Sequence, residues 1–342
     1  MVASYPVGVD RTRRGRVVFL VRLVVSAALL ALLLAKVPDL NGALPSAHHG
    51  RTAALLVLAV VVALIGVVLS AWRWQRVLAV YGAEVPLTSL TATYLASLFV
   101  GNVLPSTIGG DVLRVARIGK TINSTETAFA SVALERLTGF LALPVLVFAG
   151  FALRPSLLDH GHSVVALITA LVTLSLLGSI VFLAGHPRLA GRFTHNENWT
   201  RFIGAIHLGI DRLRREPRRI VDIVGTALIY QAAVVVSVAC IAAAIDLAVP
   251  FAALVAFVPA VAMVQVLPLS ISGLGVREGL LVFFLVPLDA TRAQSIALGL
   301  LWYASLLLVS ALGAPSFLVG QRTAAAQPTS ATPPLDDVAI GS

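Results

Sequence analysis

Apolar positions in this chain gather into long runs instead of alternating with polar ones. Six runs are long enough to cross a bilayer, near residues 17–37, 52–71, 127–152, 163–184, 220–245 and 294–319. A helix of about 20 apolar residues spans the roughly 30 Å hydrocarbon core. Four shorter runs, 87–101, 112–119, 251–264 and 276–288, fall short of that length. They occur in pairs, and each pair is joined by a break rich in proline and glycine.

The two breaks are nearly the same sequence. Residues 103–114 read VLPSTIGGDVLR and residues 266–277 read VLPLSISGLGVR, 163 positions apart. Val, Leu, Pro, Ile, Gly and Arg recur in register, with Thr107 facing Ser270 and Asn102 facing Gln265. The runs at 52–71 and 127–152 meet 220–245 and 294–319 at close to the same offset. Each half therefore reads span, span, re-entrant hairpin, span. An odd number of crossings separates the halves, so the expected architecture is an all-α polytopic membrane protein of six spans and two broken-helix hairpins arranged as an inverted-topology repeat.

Charge sets the expected orientation. Arginines gather in the leader (Arg11, Arg13, Arg14, Arg16), around Arg114, Arg117 and Lys120, and in the polar stretch 185–219, which holds eight. Cytoplasmic loops carry such an excess, which places both termini and 185–219 in the cytoplasm of a plasma-membrane protein. The net charge of +9 is thereby accounted for, and no basic stripe interleaved with aromatics calls for nucleic acid. The first run is too long for a signal h-region and carries Arg22, so it is expected to remain as a span.

Only 12% of residues are charged and 58% are hydrophobic, unlike a soluble domain. The single cysteine, Cys240, forms no intramolecular disulfide. No nucleophile–base pattern, metal-ligand spacing or cofactor motif stands out, so neither enzyme activity nor a cofactor is expected. Within 185–219, Trp199, Phe202, Ile203, Ile206, Ile210 and Leu213 recur at helical spacing with arginines opposite. That pattern predicts a helix lying on an anionic leaflet, or a docking site for a glycosyltransferase or other lipid-modifying partner. The Trp72-Arg73-Trp74 triplet reads as an interfacial anchor.

The candidate chemistry lies at the breaks. A helix interrupted inside hydrocarbon must line a protein-covered or water-filled cavity, because its backbone groups need partners. Pro105 and Pro268 end helices, while Gly109, Gly110, Gly273 and Gly275 permit tight turns and close approach. The freed amides, the positive end of the following helix and the neutral donors Asn102, Gln265 and Ser270 suit an anionic head group. Arg114 and Arg277 add positive charge nine residues after each proline, with Asp111 and Glu278 as counter-charges. Glu135 and Arg136, inside the third span, are expected to line the same cavity as the first break. Gln231 and Arg22 are weaker candidates.

These residues resemble a known family. NVLPSTIGGDVLRVARI (102–118) is similar to the N-x-L-P-x-x-x-G-[DG]-x-x-R signature of the lysylphosphatidylglycerol synthase transmembrane region, also called the flippase-like domain family. VALERLTGFLAL (132–143) and PLSISGLGVREG (268–279) resemble its two further signatures, in order. One departure is the glycine preceding Gly-Asp. The resemblance implies a membrane domain that moves or handles lipids with polar heads. In bifunctional members it is coupled to a soluble aminoacyl transferase, which this sequence is expected to lack. Stand-alone members encoded beside glycosyltransferases point to lipid-linked sugars as another cargo. The expected layout is a basic leader (1–16), a first membrane repeat (17–152), a second (153–320) and a disordered cytoplasmic tail (321–342). The function expected is handling or translocation of an anionic phospholipid or polyprenyl-phosphate head group. The alternatives are a non-transporting scaffold for a lipid-modifying enzyme and a small-molecule transporter coupled through Glu135.

Overall fold

The computed structural model describes residues 49–103, 109–159, 162–185, 197–265 and 273–318. The leader, the first predicted span with Arg22, the tail, residues 186–196, and Pro105, Thr107, Pro268 and Ser270 lie outside the described residues. Helices run α1 His49–Val80, α2 Leu87–Val103, α3 Gly109–Thr121, α4 Thr125–Leu153, α5 Ser163–Gly185, α6 Glu197–Arg215, α7 Pro217–Ala244, α8 Phe251–Gln265, α9 Val276–Leu285 and α10 Arg292–Ala311. No strand occurs among the described residues.

Five of these helices, α1, α4, α5, α7 and α10, are long and apolar enough to cross a membrane. Val57, Val61, Ile65 and Val68 on α1 and Val164, Ile168, Leu171 and Val172 on α5 are exposed at helical spacing. Such continuous apolar stripes belong against hydrocarbon. The protein is an all-α, multi-pass membrane protein.

Helix α1 is longer than its apolar run. Its 32 residues extend roughly 48 Å, past the bilayer core, so residues 72–80 continue the helix into the protein interior. The opposite happens at the other end of the chain, where α10 stops at Ala311 although the apolar run continues to 319. Gly313 and Pro315 break the helix there.

The inverted repeat is visible in which residues touch. Along α1 and α7, Arg51 meets Asp246, Ala59 accepts from Ser237 Oγ at 2.8 Å, Gly66 faces Tyr230 and Arg76 meets Asp222. As one number rises the other falls, so the two helices run antiparallel. Related elements then pack in matched pairs: α4 on α8 and α10 on α2, α3 on α4 and α9 on α10. A two-fold axis perpendicular to α1 and α7 generates this pattern, which is what opposite orientation of two halves requires.

Each broken segment doubles back. Gly110 abuts Ser97 while Arg114 lies over Tyr94, so α3 returns along α2. Gly273 abuts Gln265 while Phe257 stacks on Phe284, so α9 returns along α8. At Gly110 a Cβ would stand 2.5 Å from the Ser97 carbonyl oxygen, so only glycine allows the two arms to close.

The apolar face predicted for α6 is described at Ile206, Ile210 and Leu213, while the side chains of Trp199, Phe202 and Ile203 lie outside the described residues. Ile210 and Leu213 are buried and, with Ile206, pack on Val77, Val80, Leu134 and Ile223. Burial against the ends of α1, α4 and α7 covers this part of the apolar face, which therefore does not lie on a leaflet. Arg212 donates to the Val80 carbonyl at 2.9 Å and Arg219 to that of Ala79 at 2.9 Å. Both satisfy the last carbonyls of α1, as basic groups at a helix C-terminus do.

Candidate functional site

The first hairpin is built around a buried carboxylate. Glu135 comes from α4, Arg73 from α1 and Arg114 from α3, and all three are at most 3% exposed. Arg73 Nη2 pairs with Glu135 Oε1, and Arg114 Nη2 donates to Glu135 Oε2 at 3.1 Å. One carboxylate thus ties α1 to the consecutive helices α3 and α4. Aromatic rings complete the enclosure. The Arg114 guanidinium lies 4.1 Å from the ring centre of Trp74 and 4.5 Å from that of Tyr94, and Arg73 lies 5.4 Å from Tyr230. Trp74 is held in place by donating to Ser131 Oγ at 3.0 Å. Weakly hydrated guanidinium planes stack on such faces, which is how two arginines tolerate this depth.

A cavity of about 170 Å³ opens on this cluster, lined by Arg73, Tyr94, Arg114, Glu135, Arg136, Tyr230 and Gln231 among others. Gly139 also lines it, and a Cβ there would stand 3.1 Å from Arg73 Nη1. The missing side chain lets the Arg73 guanidinium pack directly against α4. At the mouth, the half-exposed Arg136 pairs with Asp111 at 2.5 Å, and Asp111 also lies 3.6 Å from Arg114. Nε and Nη1 of Arg73 and Nε of Arg114 are buried with no hydrogen-bond partner. Buried charged donors are rarely left this way, because each lost partner is costly.

The second hairpin has its own enclosure. Arg277 and Glu278 are 1% and 0% exposed. Arg277 Nε donates to Glu278 Oε1 at 3.2 Å, and the Gly275 amide donates to Glu278 Oε2 at 2.6 Å. Gly275 has a φ of 81°, in the region glycine occupies without strain, and this conformation aims its amide at the carboxylate. Trp302 and Tyr303 on α10 lie 5.5 and 5.0 Å from the Arg277 guanidinium. Arg277 Nη2 and Gln265 Nε2 are buried without partners.

The sequence-predicted residues divide accordingly. Asp111, Arg114, Glu135 and Arg136 come together at one cavity, with Gly109 and Gly110 opening α3 and Asn102 in the last turn of α2. Gln265, Gly273, Gly275, Arg277 and Glu278 gather at the second hairpin. No residue of the second hairpin lines the first cavity among the described residues. Arg114 and Arg277 therefore sit in separate enclosures, each against its own pair of rings. Sequence reasoning missed Arg73, Trp74, Tyr94 and Tyr230. Trp72-Arg73-Trp74 is not an interfacial anchor as a unit, because Arg73 and Trp74 are buried. Trp72 does stack with Arg76, at 5.1 Å. Among the described residues, no group of three histidine, cysteine or acidic side chains is placed to hold a metal ion.

A family model described as the lysylphosphatidylglycerol synthase TM region matches residues 19–313, most of the chain. No curated protein and no solved structure gave a match.

Proposed function

The chain belongs to the lysylphosphatidylglycerol synthase TM region family, and from that premise we propose that it takes the head group of an anionic lipid into the first-hairpin cavity and passes it across the plasma membrane. The observation that carries this reading is a cavity lined by Arg73, Arg114 and Arg136, with buried arginine donors beside it that have no hydrogen-bond partner. Guanidinium groups supply paired N–H donors in the geometry that phosphate oxygens accept. Apolar tails would remain against the lipid-facing helices while the head enters, which fits a re-entrant hairpin better than a closed soluble-ligand site. Arg114 and Arg277 would act in sequence, each at its own enclosure. The orientation follows the arginine distribution, with both termini cytoplasmic.

Purified protein in proteoliposomes containing fluorescent phosphatidylglycerol tests this, using a membrane-impermeant quencher to read the fraction of label on each leaflet. Translocation by the native chain, slowed at least about tenfold by Arg114→Ala through loss of a charge-assisted contact, is expected. Absence of translocation for phosphatidylglycerol and for a polyprenyl-phosphate sugar alike would overturn the proposal. Docking of a partner enzyme at α6 is a weaker reading, since Ile206, Ile210 and Leu213 already pack on this chain.

A further inference from the structure

The inner group of the first cavity holds two arginines and one carboxylate, all buried, and so carries one uncompensated positive charge. The mouth pair, Asp111 with Arg136, is neutral. The second enclosure, Arg277 with Glu278, is also neutral. Tyr94 and Tyr230 line the first cavity as neutral phenols, and Gln231 as a neutral amide.

Resting on the head-group reading above, we infer that the first cavity is matched to a single negative charge, that of a phosphodiester, and selects against the two charges of a phosphate monoester or a diphosphate. A buried excess charge is costly in either sign. One negative charge cancels the excess carried by Arg73 and Arg114. Two would replace an excess of plus one by an excess of minus one. A zwitterionic head brings a diester, but its cation adds back the charge that the diester removes. Phosphatidylglycerol and a sugar joined to polyprenol through one phosphate both meet this requirement. A sugar joined through a diphosphate does not.

Glu135 is the residue that sets the count. Glu135→Gln raises the inner excess to two, and Arg73→Gln lowers it to zero. Binding of short-chain phosphatidylglycerol, phosphatidylcholine and phosphatidate to the full-length protein in detergent micelles reads this directly. The measurement is made at about pH 8.5, where a phosphate monoester carries nearly two charges. Native protein is expected to favour phosphatidylglycerol by about tenfold over either other lipid. Glu135→Gln is expected to reverse the order of phosphatidylglycerol and phosphatidate. Arg73→Gln is expected to reverse the order of phosphatidylglycerol and phosphatidylcholine. Dimethyl phosphate, the diester without tails, is expected to compete with phosphatidylglycerol, and methyl phosphate to compete less.

Equal or tighter binding of phosphatidate by the native protein would overturn the inference while leaving the head-group reading standing. Binding of none of the three lipids would remove that reading itself. Should Glu135→Gln fail to fold, the native order and Arg73→Gln still decide. An unchanged preference for phosphatidylglycerol over phosphatidylcholine in Arg73→Gln overturns the charge count.

Discussion

Removing Glu135 should destabilise this protein far more than removing either arginine that it binds. The reason is the sharing geometry. Glu135→Ala leaves Arg73 with no carboxylate partner and Arg114 with only Asp111, 3.6 Å away at the cavity mouth, whereas Arg73→Met leaves Glu135 paired with Arg114 at 3.1 Å. At that distance and an effective dielectric of about 20, an ion pair gains about 5 kcal/mol before desolvation is subtracted. Breaking a buried pair by deleting one partner typically costs about 3–5 kcal/mol, most of it the stranded charge. Glu135→Ala strands Arg73 and weakens the pairing of Arg114, and so belongs toward the top of that range. Arg73→Met strands none and also removes an uncompensated cation, so about 0–2 kcal/mol is expected. The double variant Glu135→Ala/Arg73→Met should recover part of the loss, since one stranded arginine has gone. Thermal unfolding midpoints and denaturant titrations in one fixed detergent would rank the three. Equal destabilisation by Glu135→Ala and Arg73→Met, or no recovery in the double variant, would refute the shared-carboxylate reasoning.

Gly110→Ala places a methyl 2.5 Å from the Ser97 carbonyl oxygen, so the hairpin must open and stability should fall by about 1–3 kcal/mol, read from the same unfolding midpoints. Ser237→Ala removes the hydrogen bond to the Ala59 carbonyl between α1 and α7, yet should cost under about 1 kcal/mol, because interhelical bonds in membranes contribute little on average. Ile210→Asp buries a carboxylate against Val77 and Ile223 and should release α6 from the bundle, seen as faster trypsin cleavage after Arg214 and Arg215. Gly139→Leu crowds the Arg73 guanidinium, which a Cβ already approaches to 3.1 Å, so it should lower the unfolding midpoint and reduce phosphatidylglycerol binding by about tenfold or more in the micelle titration.

The helices were largely legible from hydropathy, since an apolar run of a given length has few options in a bilayer. The hairpins were legible because two sequences 163 residues apart carry the same proline–glycine–arginine order. Asp111 with Arg114 is also a local relation, three residues along one helix. What stayed hidden depends on contacts between distant helices. Arg73 reaches Glu135 across 62 residues, and Tyr230 approaches Arg73 only because α1 and α7 lie antiparallel. The available signal was an arginine between two tryptophans at the end of an apolar run, which reads equally well as an anchor in the head-group region. The length of α1 distinguishes the two, and the run alone underestimates it. Helix α6 illustrates the same limit: an amphipathic pattern says that one face is covered, but not whether lipid or protein covers it.

The antiparallel crossing of α1 and α7 has a consequence for energetics. Aligned by the two breaks, Asp111 corresponds to Leu274 and Arg114 to Arg277, and aligned by the starts of α4 and α10, Glu135 corresponds to Trp302 and Arg136 to Tyr303. Asp111, Glu135 and Arg136 thus have no charged counterpart in the second half, whereas Arg114 has one. In a symmetric duplicate, exchanging the conformations of the halves would give two states of equal energy facing opposite sides of the membrane. Here the exchange would carry the charged half into the shape of the neutral half. If the chain works by the translocation proposed above, its two end states would be unequal from the outset, a bias set by the scaffold before any gradient acts on it.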